Sequence, residues 1–95
     1  MKDQYEQLYL ILDEVLNFIT PETDVTWSGY QSVSDLLDEL KKCKERLINK
    51  DPTVFSLINM MFAPTGALQE ISIDNNWGNE FIVLSKMVDM YLGKS

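Results

Sequence analysis

Phe62-Ala63-Pro64-Thr65-Gly66-Ala67-Leu68-Gln69-Glu70-Ile71-Ser72-Ile73-Asp74-Asn75-Asn76-Trp77-Gly78 holds the breaks that divide the second half of this chain into helices. It gathers a proline, two glycines, an Asn pair and a tryptophan into seventeen residues, between segments of plain helical pattern. Pro64 ends any helix before it, because the ring clashes with helical backbone and brings no N–H. Thr65 is a good N-cap, and Ala67, Leu68 and Ile71 then carry a short helical turn near 65–72. Ile71-Ser72-Ile73 alternates like a strand, but the chain offers no second strand to pair with it, so it reads as helix or coil. Asp74-Asn75-Asn76 is turn chemistry, and either Asn can cap the helix that follows.

Working outward, Trp77, Phe81, Leu84, Val88 and Tyr91 step by four and three, which predicts a last helix over about 77–92. Gly93 closes it, as a glycine just past a helix end does. Upstream, Asp51 suits an N-cap and Pro52 the first helical position, where a missing N–H costs nothing. Val54, Phe55, Ile58, Met61 and Phe62 give the buried face of a helix over about 52–62. Before it, Ser32 or Ser34 can cap a helix over about 33–48, striped by Val33, Leu36, Leu37, Leu40, Cys43 or Lys44, and Leu47. Its acids Asp35, Asp38 and Glu39 lie early, and Lys41, Lys42, Lys44, Arg46 and Lys50 crowd its end. That order complements the helix dipole, so the basic cluster has a structural reason before a functional one.

Tyr5, Leu8, Tyr9, Leu12, Val15, Leu16 and Ile19 mark a first helix over about 3–19, stopped by Thr20-Pro21. Residues 20–31 are a long link between helices, holding Trp27 and Tyr30 around Ser28-Gly29. Both rings either fold back as a lid on the core or form an aromatic patch that a partner covers. The expected fold is therefore all-α: a single domain over 1–95, four main helices and a short helical turn around one core.

Composition bounds the rest. The chain has 95 residues, 45% hydrophobic and 24% charged, with ten aromatics and five methionines to fill one modest core. Its net charge is −7. Residues 1–40 hold one base against nine acids, 41–50 five bases against Glu45, and 51–95 two bases against five acids. This balance argues against nucleic acid and anionic membrane as partners. Acids at the start, where a signal peptide needs bases, and no apolar run near the ~20 residues of a membrane span point to a cytoplasmic protein. Cys43 is alone, which excludes an internal disulfide and favours a small core residue over a nucleophile.

Little in the chain spells catalysis. Without histidine the usual general base, the oriented triads and most zinc or iron sites are missing. Asp13-Glu14 and Asp38-Glu39 are sequence neighbours, which on a helix do not face each other. Asp74-Asn75-Asn76-Trp77-Gly78 departs from a calcium loop, whose sixth position needs glycine and twelfth a bidentate glutamate. Gly66 and Gly78 lack the spacing of a phosphate loop, and read as positions of close packing. No catalytic residue, metal or cofactor is expected, and an enzyme would need a pocket of Tyr5, Tyr9, Trp27 and acids.

The function expected is a non-catalytic protein-binding module for a basic partner protein. Trp27 and Tyr30 would anchor that partner, and Glu22, Asp24, Asp35 and Asp38, the nearest acids, would steer it. A small acidic helical chain of this kind resembles bacterial immunity proteins in type rather than in motif. That likeness implies an inhibitor that covers a basic surface of a toxic enzyme. The alternative is a self-associating subunit, a homodimer formed through Met60, Met61, Met87 and Met90, since methionine suits adaptable contacts.

Overall fold

The computed structural model describes residues 3–26, 28–63 and 66–93. Among these residues the chain is all helical: α1 (Gln4–Phe18), α2 (Val33–Ile48), α3 (Val54–Met61), α4 (Ala67–Asp74) and α5 (Gly78–Tyr91). The bundle is the one its apolar stripes call for. Leu8, Ile11, Leu12 and Val15 of α1 meet Leu36, Leu40, Cys43 and Leu47 of α2 in one core. Val54, Ile58, Met61 and Phe62 enter it from α3, Leu68 and Ile71 from α4, and Trp77, Phe81, Leu84 and Val88 from the last turn and helix. Each fully buried aliphatic or aromatic side chain contributes ~1.5–3 kcal/mol of burial.

α1 is the central element, packed against α2 on one side and α5 on the other, with α3 on α2 and α4 on α5. Both neighbours of α1 run antiparallel to it. At one end Gln4 Nε2 donates to the Tyr91 carbonyl, and at the other the Phe18 and Trp77 rings stack at 4.8 Å. Toward α2, Lys44 Nζ lies 2.5 Å from Asp13, and Lys50 Nζ lies 2.7 Å from Asp3. Aromatic contacts extend the seam, with Trp77 edge-on to Phe81 at 6.3 Å and Phe81 stacked on Phe62 at 5.7 Å.

The helix ends show where local chemistry wins. Asp3 caps α1 by accepting from the Glu6 N–H at 2.9 Å, and Ser32 caps α2 by accepting from the Asp35 N–H at 3.2 Å. The start expected at Pro52 falls two residues later. Asp51 Oδ1 accepts from both the N–H and the hydroxyl of Thr53, at 3.0 and 2.7 Å, which fixes a turn before α3 begins. The Thr65 cap lies outside the described residues, and Gly66 stands at the N-cap of α4. A Cβ there would sit 2.7 Å from the Met60 carbonyl oxygen and 3.0 Å from that of Met61, so the tight approach of α3 and α4 requires glycine. Gly78 needs no such freedom, its nearest neighbour being the Ile73 side chain at 3.5 Å.

The Asn pair ends α4 instead of starting α5. Asn76 takes a left-handed φ of 68°, and the Trp77 N–H donates back to the Ser72 carbonyl at 2.8 Å. This is the Schellman closure, with Asn where glycine is commonest. Trp77 then stands at the N-cap of α5 without a side-chain cap bond. α2 closes in the same way, with Lys50 at φ 54° and the Asp51 N–H donating to the Arg46 carbonyl at 2.9 Å. No helix among the described residues is long and apolar enough to cross a membrane.

Candidate interaction surfaces

The link of residues 20–31 is held by its own polar side chains. Thr23 Oγ1 accepts from the Thr20 N–H at 2.8 Å. Asp24 Oδ1 accepts from the Thr26 N–H at 2.9 Å and its hydroxyl at 2.5 Å, and Ser28 Oγ accepts from the Tyr30 N–H at 3.2 Å. A clamp then fixes the link to the end of α4. Asn75 Oδ1 accepts from the Asp24 N–H at 2.8 Å, and Asn75 Nδ2 donates to the Asp24 carbonyl at 2.9 Å. Asn75 is thus a positioning residue for the link rather than a cap for α5. Its partner lies 51 residues away in sequence, so no local pattern announced the clamp.

Of the residues expected to bind a partner, Trp27 lies outside the described residues. Tyr30 is half-buried and packs against the core. It borders a hollow of about 300 Å³ with Glu39, Leu57, Met60 and Met61. Burial pushes its phenol above the ordinary tyrosine range, and Glu39 adds to the shift. Glu22, Asp24, Asp35 and Asp38 are all exposed. None of the four has an ion-pair partner among the described residues. The two hydrogen bonds from Thr26, its hydroxyl first, hold the Asp24 carboxyl below the usual range and keep it charged.

A second surface is the outer face of α5. Trp77, Phe81, Leu84 and Val88 are buried as the stripe requires. Yet Ile82, Val83 and Met90 are 53%, 59% and 60% exposed, with Met87 beside them. α5 therefore carries apolar side chains on its outer side as well as its inner one, among the exposed Asn79, Glu80, Lys86 and Asp89. Ile73 of α4 is also exposed, and with Ile82 and Lys86 it borders an open groove of about 380 Å³ between α4 and α5. Of the four methionines expected at a self-contact, Met60, Met87 and Met90 are exposed. Met61 is not: it is core, its sulfur 3.9 Å from that of Cys43. Ile82 and Val83 escaped the sequence reading, though both are apolar residues off the buried stripe.

A third hollow, of about 410 Å³, lies between α1 and the end of α2, bordered by Tyr5, Tyr9, Leu10, Ile48, Glu6 and Lys50. It is open to solvent, and its charged lining is Glu6 and Lys50, the latter hydrogen-bonded to Asp3. Lys44 Nζ lies 4.6 Å over the Tyr9 ring while bonded to Asp13. Cys43 is fully buried, and burial raises its thiol above the ordinary value, the state of an inert core residue. No cluster of three or more Cys, Asp or Glu that could hold a metal ion occurs among the described residues. Comparison with models of known protein families, with curated proteins and with solved structures finds no match to this chain.

Proposed function

We propose that the chain is a non-catalytic protein-binding module that works in the cytoplasm and recognises a basic surface on another protein. The observation that carries this reading is that Glu22, Asp24, Asp35 and Asp38, near the half-buried Tyr30 in sequence, are all exposed and have no ion-pair partner among the described residues. In a chain of net charge −7 these carboxylates add to an uncompensated negative field, which steers a basic partner and repels nucleic acid. The knitted link keeps Asp24 in one geometry before binding, so less ordering opposes association. Its sharpest form is an immunity or antitoxin-like inhibitor that covers the basic site of a toxic enzyme. Neither metal nor cofactor takes part.

Immobilised protein incubated with extract of its own cells tests the reading. A basic protein should be retained at low salt and released as salt rises, because exposed charges are screened. The Asp35→Lys, Asp38→Lys double variant should lose that protein while keeping its helical circular dichroism. Retention that ignores both salt and the variant would contradict the proposal. A second reading, a self-associating subunit, is favoured by one observation, the exposed apolar side chains of α5.

A further inference from the structure

Glu80, Val83 and Lys86 are exposed and follow one another at intervals of three residues along the outer face of α5. Residues so spaced form a ridge inclined about 45° to the helix axis. This ridge has an acid at one end, an apolar residue in the middle and a base at the other. Laid antiparallel on a copy of itself, it is self-complementary. We infer that α5 forms the contact of a symmetric homodimer, in which Val83 faces Val83 of the second copy and Glu80 of each chain pairs with Lys86 of the other.

Three observations carry the inference. A twofold contact uses one patch twice, so the patch must complement itself, and this ridge does. Neither Glu80 nor Lys86 has an ion-pair partner among the described residues, so both are available across a contact. Two chains of net charge −7 repel each other. Lys86 is the one base in residues 51–93, and on this face it gives Glu80 of an acidic second copy an opposite charge to meet. Ile82, Met87 and Met90 flank the ridge and supply the apolar surface that the contact covers. Antiparallel ridges set the two helix axes at a steep crossing. The inference does not depend on a basic second protein, whose contacts would involve residues 22–38.

Sedimentation equilibrium of the intact chain over a range of concentrations reads the dimer dissociation constant. Glu80→Lys alone, or Lys86→Glu alone, sets like charges opposite each other at two symmetric points and should weaken the dimer by about tenfold or more. The double swap, Glu80→Lys with Lys86→Glu, restores opposite charges at both points and should return the constant to within about threefold of the parent. Separately, Val83→Cys with Cys43 left in place should give a disulfide-linked dimer on mild oxidation, while Ser56→Cys on the exposed side of α3 should not. A chain that stays monomeric at every concentration overturns the inference and leaves the face for a different protein. A dimer that ignores the single swaps, or that the double swap fails to restore, overturns it too, since its contact lies elsewhere.

Discussion

α2 and α5 bury comparable inner faces and differ in what they turn outward. Counted from Leu36 and from Phe81, the residues two, five, six and nine positions on are Asp38, Lys41, Lys42 and Glu45 in α2, but Val83, Lys86, Met87 and Met90 in α5. All eight are exposed. Four charges keep the first face well solvated until the proposed basic surface meets Asp38; three apolar side chains and one charge make the second the more favourable to bury. The inner faces explain the fold. The outer ones differ in what each can meet.

Trp77→Ala should cost about 3–5 kcal/mol and Leu40→Ala about 2–5 kcal/mol in chemical denaturation, since both leave cavities in one shared core. Trp77→Phe should cost far less than Trp77→Ala. It keeps a ring on Phe18 and removes the indole Nε1, a buried atom with no hydrogen-bond partner among the described residues. Gly66→Ala comes next, at about 1–3 kcal/mol, because its Cβ meets the backbone carbonyl oxygens of Met60, Met61 and Ala63 at 2.7, 3.0 and 3.1 Å.

The outer faces should respond differently. Met90→Ser on α5 and Lys42→Ser on α2 should each leave the stability of the isolated fold within about 0.5 kcal/mol. Only the first should lower self-association, as read by light scattering across concentrations. Equal effects of the two on assembly would erase the distinction between the helices.

Smallest is the response to pH. The Asp3, Asp24 and Asp51 carboxyls are held low by hydrogen bonds, from Lys50 for the first and from Thr26 and Thr53 for the others. Their stabilisation is present above the ordinary carboxylate value of ~3.9 and is lost as pH falls through the folded values below it. On the alkaline side, burial raises the Cys43 thiol. The unfolded chain therefore loses that proton first, and stability falls as pH rises past ~8.5. Lys44 is raised chiefly by its hydrogen bond to Asp13, so its contribution is lost above the ordinary lysine range. Melting temperature should therefore decline gently at both extremes. A flat profile down to pH ~2 would remove the role given to the three carboxylates.

Much of the fold is legible because each helix carries a stripe at the helical period. α2 begins and ends where the spacing of Val33 to Leu47 and the Ser32 cap put it, and Gly93 closes α5 with a φ of 81°. Other features depend on contacts that spacing does not encode. The clamp of Asn75 on Asp24 joins residues far apart in sequence, and the order of helices around α1 follows from which stripes fit together. Lys50 occupies a left-handed position that glycine usually takes, so its composition hid the turn. The candidate surface was half legible. Met87 and Met90 could be named from their chemistry, but Met61 from the same reading is core. Ile82 and Val83 show their meaning only once Trp77, Phe81, Leu84 and Val88 are seen to satisfy the inner face without them.

Whether a second copy of the chain covers the outer face of α5 is read most directly from the mass of the purified chain, measured by sedimentation equilibrium beside the Val83→Asp variant. The parent should sediment as a species of twice the 11.0 kDa chain mass. The variant should show a single-chain mass with unchanged helical circular dichroism. A parent that sediments as one chain at every concentration, or a variant that dimerises as well as the parent, would contradict a contact through this face.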